Sequence, residues 1–160
     1  MANPLPDEAR LYQTIKDKHL QVSKEVWDLI YHRVGDCLTA INLMCEYYLD
    51  LNQPMPIEEA KKILNYIRRI KEIIGQITKR VSPADQPFPE FKPNSALDPV
   101  INEMFMHYIP NDTNIMGLII SDTIDPADPR PIPAEYLEKI LGYSRCSMDF
   151  MERLRAATLK

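Results

Sequence analysis

Histidine occurs three times in these 160 residues, and one of the three, His32, stands among side chains that can do chemistry with it. On a helix, Asp28 and Asp36 fall one turn before and one turn after His32, and Thr39 lies on the same face two turns on. Carboxylates beside an imidazole favour its protonated form, and one of them can orient the ring by accepting its N–H proton. A phosphoryl acceptor needs that arrangement, with one ring nitrogen held and the other exposed to an incoming donor. The plainer reading of the same residues is a surface histidine with ordinary charged neighbours.

Other chemistry is sparse. HxxxH, HExxH and GxSxG strings and phosphate-cradling glycine loops are absent, and the four glycines stand apart at Gly35, Gly75, Gly117 and Gly142. Glu103 and His107 are spaced to share a helical face, but with no second such pair they read as a surface pair rather than as metal ligands. The set Met104, Met106, Met116, Met148 and Met151 reads as gap-filling apolar packing. Cys37, Cys45 and Cys146 are odd in number and include no CxxC pair, so they read as packed thiols. No metal and no cofactor is expected.

His32 has to be positioned by a helix, and the surrounding sequence supplies one over 22–51. Its apolar residues Ile30, Val34, Cys37, Ile41, Met44 and Tyr48 alternate in steps of four and three, the seam of a helix packed along another helix. At about 100° per residue His32 projects roughly 140° from Cys37, which places it on the wet side. Leu11 to Leu20 also shows helical spacing, either running into the long helix or preceding it after a bend. Asn52, Gln53, Pro54 and Pro56 end the long helix. A second helix then runs from Pro56 or Ile57 through Val81, with Glu58 and Glu59 in its first turn and Ala60, Ile63, Ile67, Ile70, Ile74, Ile77 and Val81 as its seam. Two such helices joined by a short turn form an antiparallel hairpin.

That hairpin cannot cover all its apolar residues, which also include Leu38, Leu64 and Ile73. Either a partner chain or the C-terminal half must cover them, and dimerisation into a four-helix bundle is the natural solution. Lys61, Lys62, Arg68, Arg69, Lys71 and Lys79 read as a solvated face. From Ser82 to Ser95 four prolines in fourteen residues mark an extended connector. Asp98 and Pro99 then open a short helix over 99–108, ended by Pro110. The apolar run 115–120 is left open between a strand and a buried loop. A second proline-rich connector leads into a terminal helix over 133–158, with Leu137, Ile140, Leu141, Met148, Met151 and Leu154 on one flank. The expected architecture is all-α: an N-terminal lead over 1–21, the helical hairpin over 22–82, and a C-terminal extension over 83–160.

A net charge of −4 with no long basic block argues against nucleic acid or an anionic membrane surface as partner. Apolar runs are too short for membrane insertion and the N-terminus lacks a signal-peptide pattern, so the expected location is the cytoplasm.

The segment His32-Arg33-Val34-Gly35-Asp36-Cys37-Leu38-Thr39-Ala40-Ile41 resembles the histidine box of the dimerisation and histidine-phosphotransfer domain of two-component sensor histidine kinases, in which Leu-Thr-Ala-Ile follows six residues after the histidine. The second helix, with Ile63, Arg69, Ile70, Ile73, Ile74 and Ile77, is similar to that domain's second helix, and the resemblance covers Val22 to Val81. It implies a homodimeric four-helix bundle with His32 as phosphoacceptor, and a response-regulator receiver domain or a sensor kinase as partner. The chain departs from the family's pattern at three places. Arg33 stands where the family has an acid serving as base, Asp36 stands where it often has Thr or Asn, and Cys37 stands where a proline bends the helix, with Gly35 as a substitute source of flexibility. The residues after Val81 hold two glycines and no ATP-binding box, so kinase chemistry is not expected. Three readings follow: a kinase-derived module that regulates signalling by binding, a histidine phosphotransferase working through His32 with Asp36, Arg33 and Thr39 around it, and an unrelated helical adaptor.

Overall fold

The computed structural model describes residues 8–22, 24–79, 99–124, 127 and 130–158. The expected first connector and the first residues of the N-terminal lead lie outside them. The helices are α1 (Glu8–Asp17), α2 (Lys24–Ile30), a π-helical turn (Tyr31–Gly35), α3 (Asp36–Asp50), α4 (Ile57–Lys79), α5 (Pro99–Thr123) and α6 (Ala134–Thr158). Ile30 and Asp36 keep right-handed helical backbone on either side of the π turn, so α2, the turn and α3 form one unbroken rod. The described residues contain no strand, and Met55 and Ile132 make one isolated antiparallel bridge.

Helix ends follow local chemistry. Asn52 takes a left-handed φ of 53° just past α3, its N–H donates to the Leu49 carbonyl, and Gln53 N–H donates to that of Tyr48. This paired stop satisfies carbonyls that the helix leaves orphaned. The same stop ends α1, with His19 at φ 53° and its N–H on Lys16, and Leu20 N–H on Ile15. The Leu11 to Leu20 segment is therefore a separate helix that does not run into α2.

The α4 seam is as periodicity requires: Ala60, Ile63, Ile67, Ile70, Ile74 and Ile77 are all buried. On α3 the stripe lies slightly to one side of the expected seam, burying Cys37, Leu38, Ile41 and Cys45 while Met44 and Tyr48 are half-buried. Of the two ways to cover the hairpin, the C-terminal half supplies one within the chain. Helix α6 packs along α3 and α5, and α4 packs along α5 and α3, so the four long helices close in a ring.

Two ties hold that ring. At one end Met55 and Ile132, both fully buried, exchange backbone hydrogen bonds of 2.9 and 2.8 Å, joining the α3–α4 loop to the α5–α6 loop. At the other end the fully buried Trp27 indole N–H donates to Thr158 Oγ at 3.0 Å, and Thr158 carbonyl accepts from Val22 N–H at 3.0 Å. The rings of Trp27, Phe105 and Phe150 continue inward with tilted and edge-on contacts at 5.8 and 6.0 Å between centroids.

The C-terminal half corrects two expectations. Pro110 does not end a helix at 108, and 115–120 is neither strand nor loop, because α5 runs through both as one helix. Proline there removes an amide that would donate to Met106 and costs about 3 kcal/mol. Beyond it, however, Met116 and Ile120 are fully buried on the same stripe as Ile101, Phe105 and Ile109, each worth about 1.5–3 kcal/mol. Tertiary burial therefore outweighs the local penalty, and Thr113 Oγ donating to the Pro110 carbonyl at 3.2 Å supports the turn.

Replacing the proline tests this balance. Pro110→Ala restores the missing donor at some cost in unfolded-chain entropy, for a net gain of about 1–2 kcal/mol. Thermal unfolding followed by circular dichroism should show a higher Tm with unchanged helicity, and a lower Tm would mean that the ring is required for packing.

Candidate functional site

The π turn carries His32. On its inner side Val34 is fully buried, and the Tyr31 ring packs against Trp27 at 6.0 Å and under the Arg155 guanidinium at 4.9 Å. Burial, with the Glu152 carboxylate adding to it, pushes the Tyr31 phenol up to about 12, so it stays protonated. Gly35 has ordinary helical backbone, with φ −61°, and is itself buried. The irregularity in the rod is a π turn that contains Gly35. Such turns inside α-helices often sit at functional sites.

On the outer side His32 is 73% exposed, and its Nδ1 lies 3.3 Å from Asp36 Oδ2. This contact leaves Nε2 as the ring nitrogen available to another molecule. Asp28 is exposed but makes no ion pair with His32, and Thr39, also exposed, lies outside the groove beside the histidine. That groove, about 250 Å³ in volume, runs between α3 and α4. It brings His32, Arg33 and Asp36 together with Cys37, and α4 contributes Tyr66, Arg69 and Ile73.

Sequence reasoning missed Tyr66 and Arg69 as members of the site. Heptad spacing shows that they leave the seam, but the side of α4 that meets the His32 face depends on how the hairpin is rotated. Burial raises the Cys37 thiol above its ordinary value and the Arg69 charge lowers it in part, so Cys37 is a neutral wall rather than a nucleophile.

Elsewhere the chemistry is thin. His107 Nε2 and Glu103 Oε1 are 3.9 Å apart on the surface. No group of three or more metal-ligating side chains gathers among the described residues. Met104, Met116 and Met151 are fully buried in the core. No helix among the described residues is long and apolar enough to cross a membrane.

Comparison of the chain with protein-family models, with curated proteins and with solved structures gives no match.

One carboxylate is strained by its surroundings. Asp112 on α5 accepts from Ser147 Oγ on α6 at 2.9 Å, yet burial raises its pKa, with the Ser147 and Asn111 hydrogen bonds offsetting only part of the effect. A carboxyl with a raised folded-state pKa contributes stability in acid, and that contribution is lost as pH rises through the folded value. Asp112→Asn keeps an acceptor for Ser147 without the charge. It should melt higher than wild type at neutral pH, with the difference closing below the ordinary aspartate pKa, and paired melting curves across pH check this. A difference independent of pH would assign the effect to packing.

Proposed function

We propose that this chain is a helical docking module of two-component signalling, derived from the kinase dimerisation domain, which binds a response-regulator receiver or a sensor kinase over the face around His32. One observation carries the reading. On α3 and at its C-cap the large apolar side chains Leu43, Tyr47 and Leu51 are 61%, 59% and 47% exposed. They stand four residues apart, and Leu43 lies seven residues, two helical turns, beyond Asp36 and its partner His32. An exposed apolar ridge running on from a polar site is the usual composition of a protein-binding surface. The resemblance of the box from His32 to Ile41 supplies the class of partner.

A second reading is favoured by the His32–Asp36 contact. In a phosphotransferase, the P–O bond of a partner's aspartyl phosphate breaks as an N–P bond forms at His32 Nε2. The partner's carboxylate leaves ionised, and Asp36 holds the Nδ1 proton. Arg33 weighs against this reading, because it occupies the position of the family's base.

The homodimer belongs to this proposal too. With α5 and α6 covering the hairpin, the surface it would use is the Leu43–Leu51 ridge, which a receiver would otherwise occupy.

Incubation with a phosphorylated receiver or acetyl phosphate, followed by intact-mass and binding measurements, separates the readings. For a docking module His32→Ala weakens binding by no more than about 1 kcal/mol, whereas Tyr47→Ala, at the centre of the ridge, costs about 2 kcal/mol or more. Wild type stays unlabelled and Arg33→Glu becomes labelled. Robust wild-type labelling that disappears in His32→Ala would instead establish the phosphotransferase. Sedimentation equilibrium with and without receiver reports which occupant takes the ridge.

A further inference from the structure

On the other flank of α4 a second groove, about 620 Å³ in volume, runs between α4 and α5. Leu64, Ile67 and Leu118 give it an apolar wall, and Leu118 is 61% exposed. Gly117 leaves it room, since a Cβ at that position would meet no atom within 4 Å. Arg68 and Lys71 stand one turn apart along α4, both exposed, and neither makes an ion pair among the described residues. No carboxylate lines the groove, and the neighbouring Glu72 pairs with neither cation. Two uncompensated cations beside an apolar trough fit a helix that presents apolar side chains and a carboxylate on one face.

The chain itself carries such a face. Leu43, Tyr47 and Asp50 follow in steps of four and three on the outer side of α3, and all three are exposed. Asp36 on that side is engaged by His32, whereas Asp50 makes no ion pair among the described residues. Seven residues separate Leu43 from Asp50, and seven separate Leu64 from Lys71, about 10 Å of helix in each case. Both rows begin apolar and end charged, with opposite signs. Laid parallel, they oppose Leu43 and Tyr47 to the apolar wall and Asp50 to Arg68 and Lys71.

We infer that the groove between α4 and α5 seats the Leu43–Leu51 ridge of a second copy of this chain, with Asp50 of one copy against Arg68 and Lys71 of the other. This rests on the homodimer in the proposed function and names the surface that receives its ridge. The contact is heterologous, with a different patch on each copy, and it uses α5, which lies beyond the residues that carry the resemblance to the kinase domain. A ridge seated in a neighbouring copy is closed to a receiver, so self-association and receiver docking compete.

The test is sedimentation velocity of the full chain from micromolar to millimolar concentration, on wild type and on variants that each spoil one face. Gly117→Leu fills the groove with a better helix former, and Leu43→Asp charges the ridge at a position already in water. Wild type should rise above the mass of one chain as concentration increases, and each variant, folded by circular dichroism, should stay monomeric. An equimolar mixture of the two variants should recover a complex of one copy each, because one intact ridge then meets one intact groove. Arg68→Glu should weaken wild-type association about tenfold or more, and adding Asp50→Lys to it should restore part of the loss. A monomeric wild type, a mixture that fails to associate, or association that survives both Gly117→Leu and Arg68→Glu overturns the inference, the last by assigning the contact to ridge on ridge. The docking proposal fails separately, when the monomeric Gly117→Leu chain, with its ridge free, binds no receiver.

Discussion

A helical hairpin with apolar residues on more than one flank cannot stand alone in water, and the rest of this molecule follows from that constraint. The isoleucine seam of α4 and the inner stripe of α3 satisfy part of each other, while the remaining area has to be buried by something else. Helices α5 and α6 take that place, and their own irregularities follow from the task. Pro110 is tolerated in mid-helix because the stripe on either side of it is needed against the hairpin. The Met55–Ile132 bridge holds the two loops together, and the Trp27–Thr158 hydrogen bond fastens the far end of α6 to α2. With both ends secured, the rod of π turn and α3 keeps one outer face uncovered by the other described helices, and the exposed His32 and apolar ridge lie on it.

The site combines a fixed side with an open one. Tyr31 and Val34 anchor the π turn inward through aromatic, cation and apolar contacts, so the backbone under His32 is held although the imidazole is in solvent. The Asp36 contact is exposed and adds little to stability. Its physical effect is on which ring nitrogen is left available.

The hairpin was legible in the sequence because its signal is a repeating one. Six buried α4 positions share a single period, and one misplaced residue cannot hide it. The exposure of His32 followed from the same period. Helix α5 was misread because Pro110 and the apolar, partly β-branched run 115–120 are local cues, and the burial that overrides them depends on contacts distant in sequence. Thr39 and Asp28 share the face of His32 on a helical projection, but the groove faces α4 and excludes Thr39 from its lining. Arg69 stayed among the solvated charges for the converse reason: periodicity says which residues leave the seam, and only packing says what they then meet.

The π turn has one further consequence. A turn closed by i→i+5 hydrogen bonds holds one residue more than the α-helical turn it replaces, so Tyr31–Gly35 acts as a single-residue insertion inside a continuous rod. Each residue advances a helix by about 100°, and the phase of α2 is therefore offset from that of α3 by about one residue. Trp27, before the turn, meets Thr158 and Phe105, and Cys37, Leu38 and Ile41, after it, are buried in the core. One continuous rod thus carries a step in phase between the residues before the turn and those after it.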